Sequence, residues 1–218
     1  MTAPDWRREG RGWPLAEHSR FVADGPLVWH VQRLGSGPVL LLIHGTGAAT
    51  HSWRGLAPLL ADRFTVVAVD LPGHGFTRGR LPTGLALPGI ARALGALCAA
   101  EGIAPAALIG HSAGAAIAVR MVMDGAVPAA APSPPVHVIG LCPALRPFGG
   151  DAAGLMSGMA RLMFANPAMP WLAAGLARFA VRTDSFLARS TGSRIDAEGQ
   201  RFTGGCSHRP GTAPGRSG

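Results

Sequence analysis

The chain contains no lysine and no tyrosine. All 20 basic side chains are arginine, set against 12 acids, which gives a formal charge of +8 in 218 residues. Exclusive use of arginine reads as a GC-rich coding bias rather than as chemistry. The arginines run from Arg7 to Arg216 with no cluster interleaved with aromatic residues, so no nucleic-acid-binding face is expected. Cysteine is scarce: Cys98, Cys142 and Cys206 are odd in number, far apart and without a Cys-x-x-Cys pair. That pattern argues against a disulfide framework or a zinc site and fits a reducing, cytoplasmic setting. No run of about 18 apolar residues exists to span a bilayer, so no transmembrane segment is expected. The N-terminus, with Asp5, Arg7, Arg8, Glu9 and Arg11, lacks the apolar core of a signal peptide. A Gly-x-x-x-x-Gly-Lys phosphate loop and a magnesium-type carboxylate cluster are both missing, so neither a cofactor nor a metal is expected.

Glycine and proline are plentiful, at 31 and 19, and charged residues make up only 15%. The length suits one domain, with room for an inserted subdomain, and is enough to bury a real core. Residues Arg20 to Ala23 and Leu27 to Arg33 predict a hairpin around Asp24-Gly25-Pro26. Pro38 to Ile43 and Phe64 to Val69 are continuous apolar runs, as expected of strands buried on both faces. Helical spacing marks His51 to Ala61 and Leu87 to Glu101, the latter through Ile90, Leu94 and Leu97. A strand over Ala106 to Ile109 then leads into a helix from Ala113 to Asp124, with Met121 to Met123 among its apolar residues. After a Pro/Ala linker from Ala126 to Pro135, a further strand is predicted over Val136 to Leu141. A hairpin followed by repeated β-α units predicts an α/β fold with a mostly parallel sheet and helices on both faces.

Between the Ala106 strand and the Ala113 helix lies Gly110-His111-Ser112-Ala113-Gly114. A turn that sharp leaves no room for Cβ atoms beside the serine, and it pushes the hydroxyl out above the sheet over a helix N-terminus. The plainer reading is a serine that merely caps the helix. A rival of another class is the dinucleotide fingerprint, which Gly45-Thr46-Gly47-Ala48-Ala49-Thr50 nearly satisfies, with Asp70 as the acid. Thr50 stands where the third glycine is needed, however, and a hairpin precedes the glycine strand. Asp70 also leads into Leu71-Pro72-Gly73-His74-Gly75, where a carboxylate braces a turn more readily than it holds a ribose.

His44-Gly45, Asp70 to Gly75 and Gly110 to Gly114, each following a strand in this order, resemble the α/β-hydrolase superfamily over residues 20 to 145. Within it the chain is similar to the magnesium-chelatase accessory branch of bacteriochlorophyll biosynthesis, and hence of photosynthesis. The similar segments are His44 to Trp53, Phe76-Thr77, Leu145 to Gly150 and Thr191 to Glu198. The resemblance implies that Ser112 attacks a carbonyl carbon while the N–H groups of Ala113 and Thr46 receive the oxyanion. It makes His44, Gly45, Asp70, Gly110 and Gly114 structural parts of the motif, with His44 and His74 bracing loops and His111 turned away.

The resemblance also implies an acid and then a histidine after Ser112. The acids on offer are Asp124, Asp151, Asp184, Asp196 and Glu198; the imidazoles are His137, expected as a core or sheet residue, and His208. Residues 1–147 are assigned to the hydrolase core and 148–198 to a Met-rich helical lid, or to helices that finish the core. Residues 199–218 are assigned to a disordered, out-of-frame tail that replaces the last two strands and the catalytic acid and histidine. A native variant without the histidine is the other reading. Two functions follow: a serine hydrolase acting on a small apolar or ester-like substrate, or a non-catalytic accessory protein that binds a porphyrin or a chelatase subunit.

Overall fold

The computed structural model describes residues 4–128 and 135–145. The apolar runs form the strands predicted for them, with ends shifted by a residue or two. After a one-turn helix α1 (Trp6–Glu9) come β1 (Ser19–Asp24), β2 (Leu27–Leu34), β3 (Val39–Ile43), α2 (Ala57–Ala61) and β4 (Thr65–Val69). Then follow the short β5 (Arg78–Gly79), α3 (Leu87–Ala100), β6 (Pro105–His111), α4 (Ala113–Met123) and β7 (His137–Leu141). The sheet runs β1-β2-β4-β3-β6-β7, with β5 attached to β2. The hairpin β1-β2 and the β2-β4 pair are antiparallel, whereas β4-β3, β3-β6 and β6-β7 are parallel.

Side chains alternate along the central strands, so each strand feeds two apolar layers. Leu41, Ile43, Val67 and Val69 pack with Ile90, Leu94 and Leu97 of α3 and Ile117, Ala118 and Met121 of α4. Leu40, Leu42, Val66 and Ala68 face the opposite way and pack with Trp53 and Ala57. In α4 the buried positions Gly114, Ile117, Ala118 and Met121 form one helical stripe. Val122 and Met123 therefore face outward, although all three of residues 121 to 123 are apolar.

Two expectations change. The helix predicted over His51 to Ala61 is broken into a 3₁₀ turn at Thr50–Trp53 and the separate α2, with proline in the first turn of α2. Pro58 lacks an N–H and cannot continue an incoming helix, but it is tolerated where a new one starts. The strand before Ser112 extends to His111 instead of stopping at Ile109. His137 is a sheet residue, as expected, and like every residue of β7 it is exposed. The predicted lid at 148–198 and tail at 199–218, with their boundaries, lie outside the described residues. Among those residues, no helix is long and apolar enough to cross a membrane, and no group of three His, Cys, Asp or Glu residues could hold a metal.

Candidate active site

The sheet order places a switch point between β3 and β6. The chain leaves β3 for β4 on one side and returns past β3 to β6 on the other. Crevices outside the carboxyl ends of strands at such a point are the usual ligand sites of open α/β sheets. Register brings the strand ends level, since Ile43 pairs with both Val69 and Gly110. The next residues along each strand are His44, Asp70 and His111-Ser112.

Ser112 has φ 52° and ψ −116°, a backbone conformation that L-residues other than glycine avoid, and its side chain makes no capping bond to α4. The capping role therefore does not explain the serine. Its neighbours explain how the turn can form. A Cβ on Gly114 would lie 2.1 Å from the Ile43 carbonyl oxygen, and one on Gly110 would lie 2.4 Å from the Ala115 backbone. Gly45 is tight as well, its Cβ position being 3.0 Å from Ser112 Cβ and 3.2 Å from His111 Nδ1. The loop after β3 and the serine turn are thus in contact. Gly114→Ala is expected to lower stability by several kcal/mol, roughly 3 or more, because backbone and not a flexible side chain must move. Gly55→Ala, with open space around its Cβ position, is expected to stay within about 0.5 kcal/mol. Urea denaturation of the two variants checks this.

The turn is strapped to the loop after β7. The Ser112 N–H donates to the Leu141 carbonyl at 3.0 Å, and the Ser112 carbonyl accepts from the N–H groups of Ala144 and Ala115, both at 3.1 Å. Ala113 begins α4 half-buried, and Thr46 lies exposed in the loop after β3.

Beneath these loops Asp70 is a fully buried hub. Its Oδ1 accepts from the Thr50 N–H at 2.7 Å, and its Oδ2 accepts from the Phe76 N–H at 2.8 Å and meets His30 Nδ1 at 2.7 Å. The Thr77 hydroxyl donates to the Asp70 carbonyl at 2.6 Å. Burial raises the Asp70 pKa, but the hydrogen bond and charge of His30 lead the opposing effects, and the net direction is downward. With both oxygens committed, Asp70 cannot grip a ribose, which removes the geometric basis for the dinucleotide rival.

His44 donates from Nδ1 to the Gly45 carbonyl at 2.7 Å and accepts the Leu71 N–H at Nε2 at 3.0 Å. That pair of bonds requires the neutral ring, and burial lowers its pKa from 6.5 to about 4. Burial also lowers the pKa of His51 to about 4. Between pH 6.5 and 4 the unfolded chain binds these protons and the folded chain does not. Their contribution is therefore complete above about 6.5 and lost as pH falls toward 4, worth up to about 3 kcal/mol for each ring. Chemical denaturation at pH 7 and pH 4.5 should show this loss, and a flat profile would contradict it.

Other sequence-predicted groups scatter. His74 bonds to the Pro72 carbonyl at 3.2 Å and its ring lies 5.3 Å from that of His44. His111 is exposed beside Gly45, and Asp124 is paired with Arg120 at 2.9 Å. The bonds of His30 run to Asp70 and Ser19, those of His44 to Gly45 and Leu71, and that of His74 to Pro72, all away from Ser112. Asp151, Asp184, Asp196, Glu198 and His208 lie outside the described residues. His30, Thr50, Thr77 and Trp13 were missed by sequence reasoning. The available signal was His30 and Gln32, polar residues alternating with Trp29 and Val31 inside a buried strand. Cys98 is buried, with its thiol pushed up to about 12, and is chemically inert; Cys142 is exposed.

The family model described as the alpha/beta hydrolase fold matches residues 38–197. The chain is 38% identical over 194 residues to the magnesium-chelatase 30 kDa subunit of Rhodobacter capsulatus, covering 87% of this chain and 64% of that subunit. It thus spans a little under two thirds of that relative's length. Among solved structures, Cfl2 of Burkholderia cenocepacia superimposes with a TM-score of 0.62 at 26% identity, over 85% of this chain and 64% of that one. A candidate lipase from Acinetobacter baumannii gives 0.61 at 20% identity, over 90% and 62%, which speaks for the fold alone.

Proposed function

The chain belongs to the α/β-hydrolase fold family, and from that premise we propose that Ser112 is the nucleophile of a serine ester-hydrolase-type site. One observation carries the reading: a serine held at φ 52° between two glycines that the fold cannot replace, at the switch point and touching Gly45. Ser112 Oγ attacks the carbonyl carbon of a small apolar or ester-like substrate while its proton passes to a base. The carbonyl oxygen becomes an anion facing the N–H groups of Ala113, at the positive end of α4, and of Thr46. The ester C–O bond then breaks, the alcohol leaves with a proton, and water releases the acid from Ser112. His44 and Asp70 serve this site by fixing the loops after β3 and β4. The acid and the histidine that serve as base in this family are, on the sequence reading, replaced by the 199–218 tail, so solvent takes the proton and turnover by this chain is expected to be slow.

A second reading rests on the similarity to a protein named as a magnesium-chelatase subunit. In it the same crevice belongs to a non-catalytic accessory protein of bacteriochlorophyll synthesis that holds a porphyrin or a chelatase subunit. Short p-nitrophenyl esters and a free-base porphyrin separate the two. Ester turnover that disappears in Ser112→Ala supports the hydrolase. Porphyrin fluorescence quenched equally by the parent chain and Ser112→Ala, with no ester turnover, supports the accessory role.

A further inference from the structure

The loop carrying Thr46 is pinned at both ends, and its far pin comes from the N-terminal segment before β1. At the near end Gly45 is pressed against Ser112 and its carbonyl is held by His44. At the far end the Thr50 N–H is fixed on Asp70, and Thr50 Oγ1 accepts the indole N–H of Trp13 at 3.0 Å. That bond is buried and joins residues 37 apart in sequence. Between the pins Thr46 and Gly47 are exposed, with a bond from the Ala48 N–H to the Gly45 carbonyl at 3.2 Å closing the turn. Trp13 does not depend on Thr50 for its own place. Its ring stands edge-on to His51 at 5.1 Å and to Phe76 at 4.9 Å. The carbonyls of the next two residues, Pro14 and Leu15, are both gripped by the Gln32 side-chain amide, at 2.7 and 3.1 Å.

We propose that Trp13, acting through Thr50, is a positioning residue that sets where the Thr46 N–H points relative to Ser112. The proposal rests on the reading of Thr46 as an oxyanion donor. The physical reason is tolerance. A donor must meet the developing charge within a fraction of an ångström, and a misplacement of about 1 Å can cost on the order of 10²-fold in rate. Thr46 and Gly47 are exposed, so the buried residues that flank them, Gly45, Ala49 and Thr50, decide the loop's course. Replacing Trp13 by phenylalanine removes the N–H while keeping a ring between His51 and Phe76, which separates positioning from packing.

The test measures amide hydrogen exchange and the rate of Ser112 labelling by a fluorophosphonate in the full chain and in Trp13→Phe, Thr50→Val and Thr50→Ser. Exchange over residues 45–51 is expected to rise about tenfold in Trp13→Phe and Thr50→Val, with β6 unchanged, and labelling to slow about tenfold. Thr50→Ser, which keeps the hydroxyl, should behave as the parent. Unchanged exchange at 45–51 in Trp13→Phe overturns the anchor, whatever Ser112 does. Faster exchange with an unchanged labelling rate overturns the link to Thr46. A responsive loop in a chain whose Ser112 never labels overturns the oxyanion reading, and the proposal with it.

Discussion

Ser112→Ala is expected to abolish ester turnover and fluorophosphonate labelling, slow as both are with the acid and histidine replaced, because no covalent nucleophile is left to attack. The variant should fold, since alanine keeps the Cβ and the three backbone bonds of the turn, to Leu141 and from Ala115 and Ala144. Ser112→Gly sharpens the point. Glycine occupies φ near 52° without strain, so this variant should lose activity equally and yet gain about 1 kcal/mol or more of stability. A residue kept for structure would show the opposite, a loss of stability on removal. Parallel initial rates and urea midpoints for the parent chain and both variants make the comparison. Equal stability of Ser112→Gly and the parent would mean that the turn stores no strain.

Asp70→Ala is expected to damage the fold severely. It strands the Thr50 N–H, the Phe76 N–H and His30 Nδ1, all buried, without the acceptor that each now uses. Leaving a buried polar group without its partner typically costs about 1–3 kcal/mol, and three such groups together take a large share of the roughly 5–15 kcal/mol that holds a domain together. The cost also falls where the site is built, because Thr50 ends the loop that carries Thr46. Arg120→Ala is the contrast: its ion pair with Asp124 is partly exposed and spaced i,i+4 on α4, so its loss should cost under about 1 kcal/mol. Denaturant midpoints that fall equally for both variants would contradict the hub.

How far the sequence could be read follows from which physical signal each element carries. Apolar runs such as Leu40 to Ile43 and Val66 to Val69 have few alternatives to a doubly covered strand, and their strand ends placed His44, Asp70 and Ser112 on one rim. The glycines beside Ser112 were readable for the same reason: only a residue without Cβ fits 2.1 Å from a carbonyl oxygen. The apolar spacing of His51 to Ala61 continues across Gly55 and Pro58, whereas the helical backbone does not, so periodicity alone does not show the break. The Val136 to Leu141 run identified a strand without revealing that β7 is exposed, since composition says nothing of what covers a face. The Asp70 hub was half legible. A carboxylate bracing a turn could be expected, but its partners at positions 30, 50 and 76 come together only through the sheet. Trp13 carried no periodic signal, and its role appears only once the indole is seen to reach Thr50.

The central claim, that Ser112 is a nucleophile lifted over the carboxyl edge of the sheet, is tested most directly by mapping a fluorophosphonate adduct on the folded chain by peptide mass spectrometry. The account predicts one adduct, on Ser112, absent after prior denaturation. A folded chain that takes no adduct, or takes it on another serine, would contradict it.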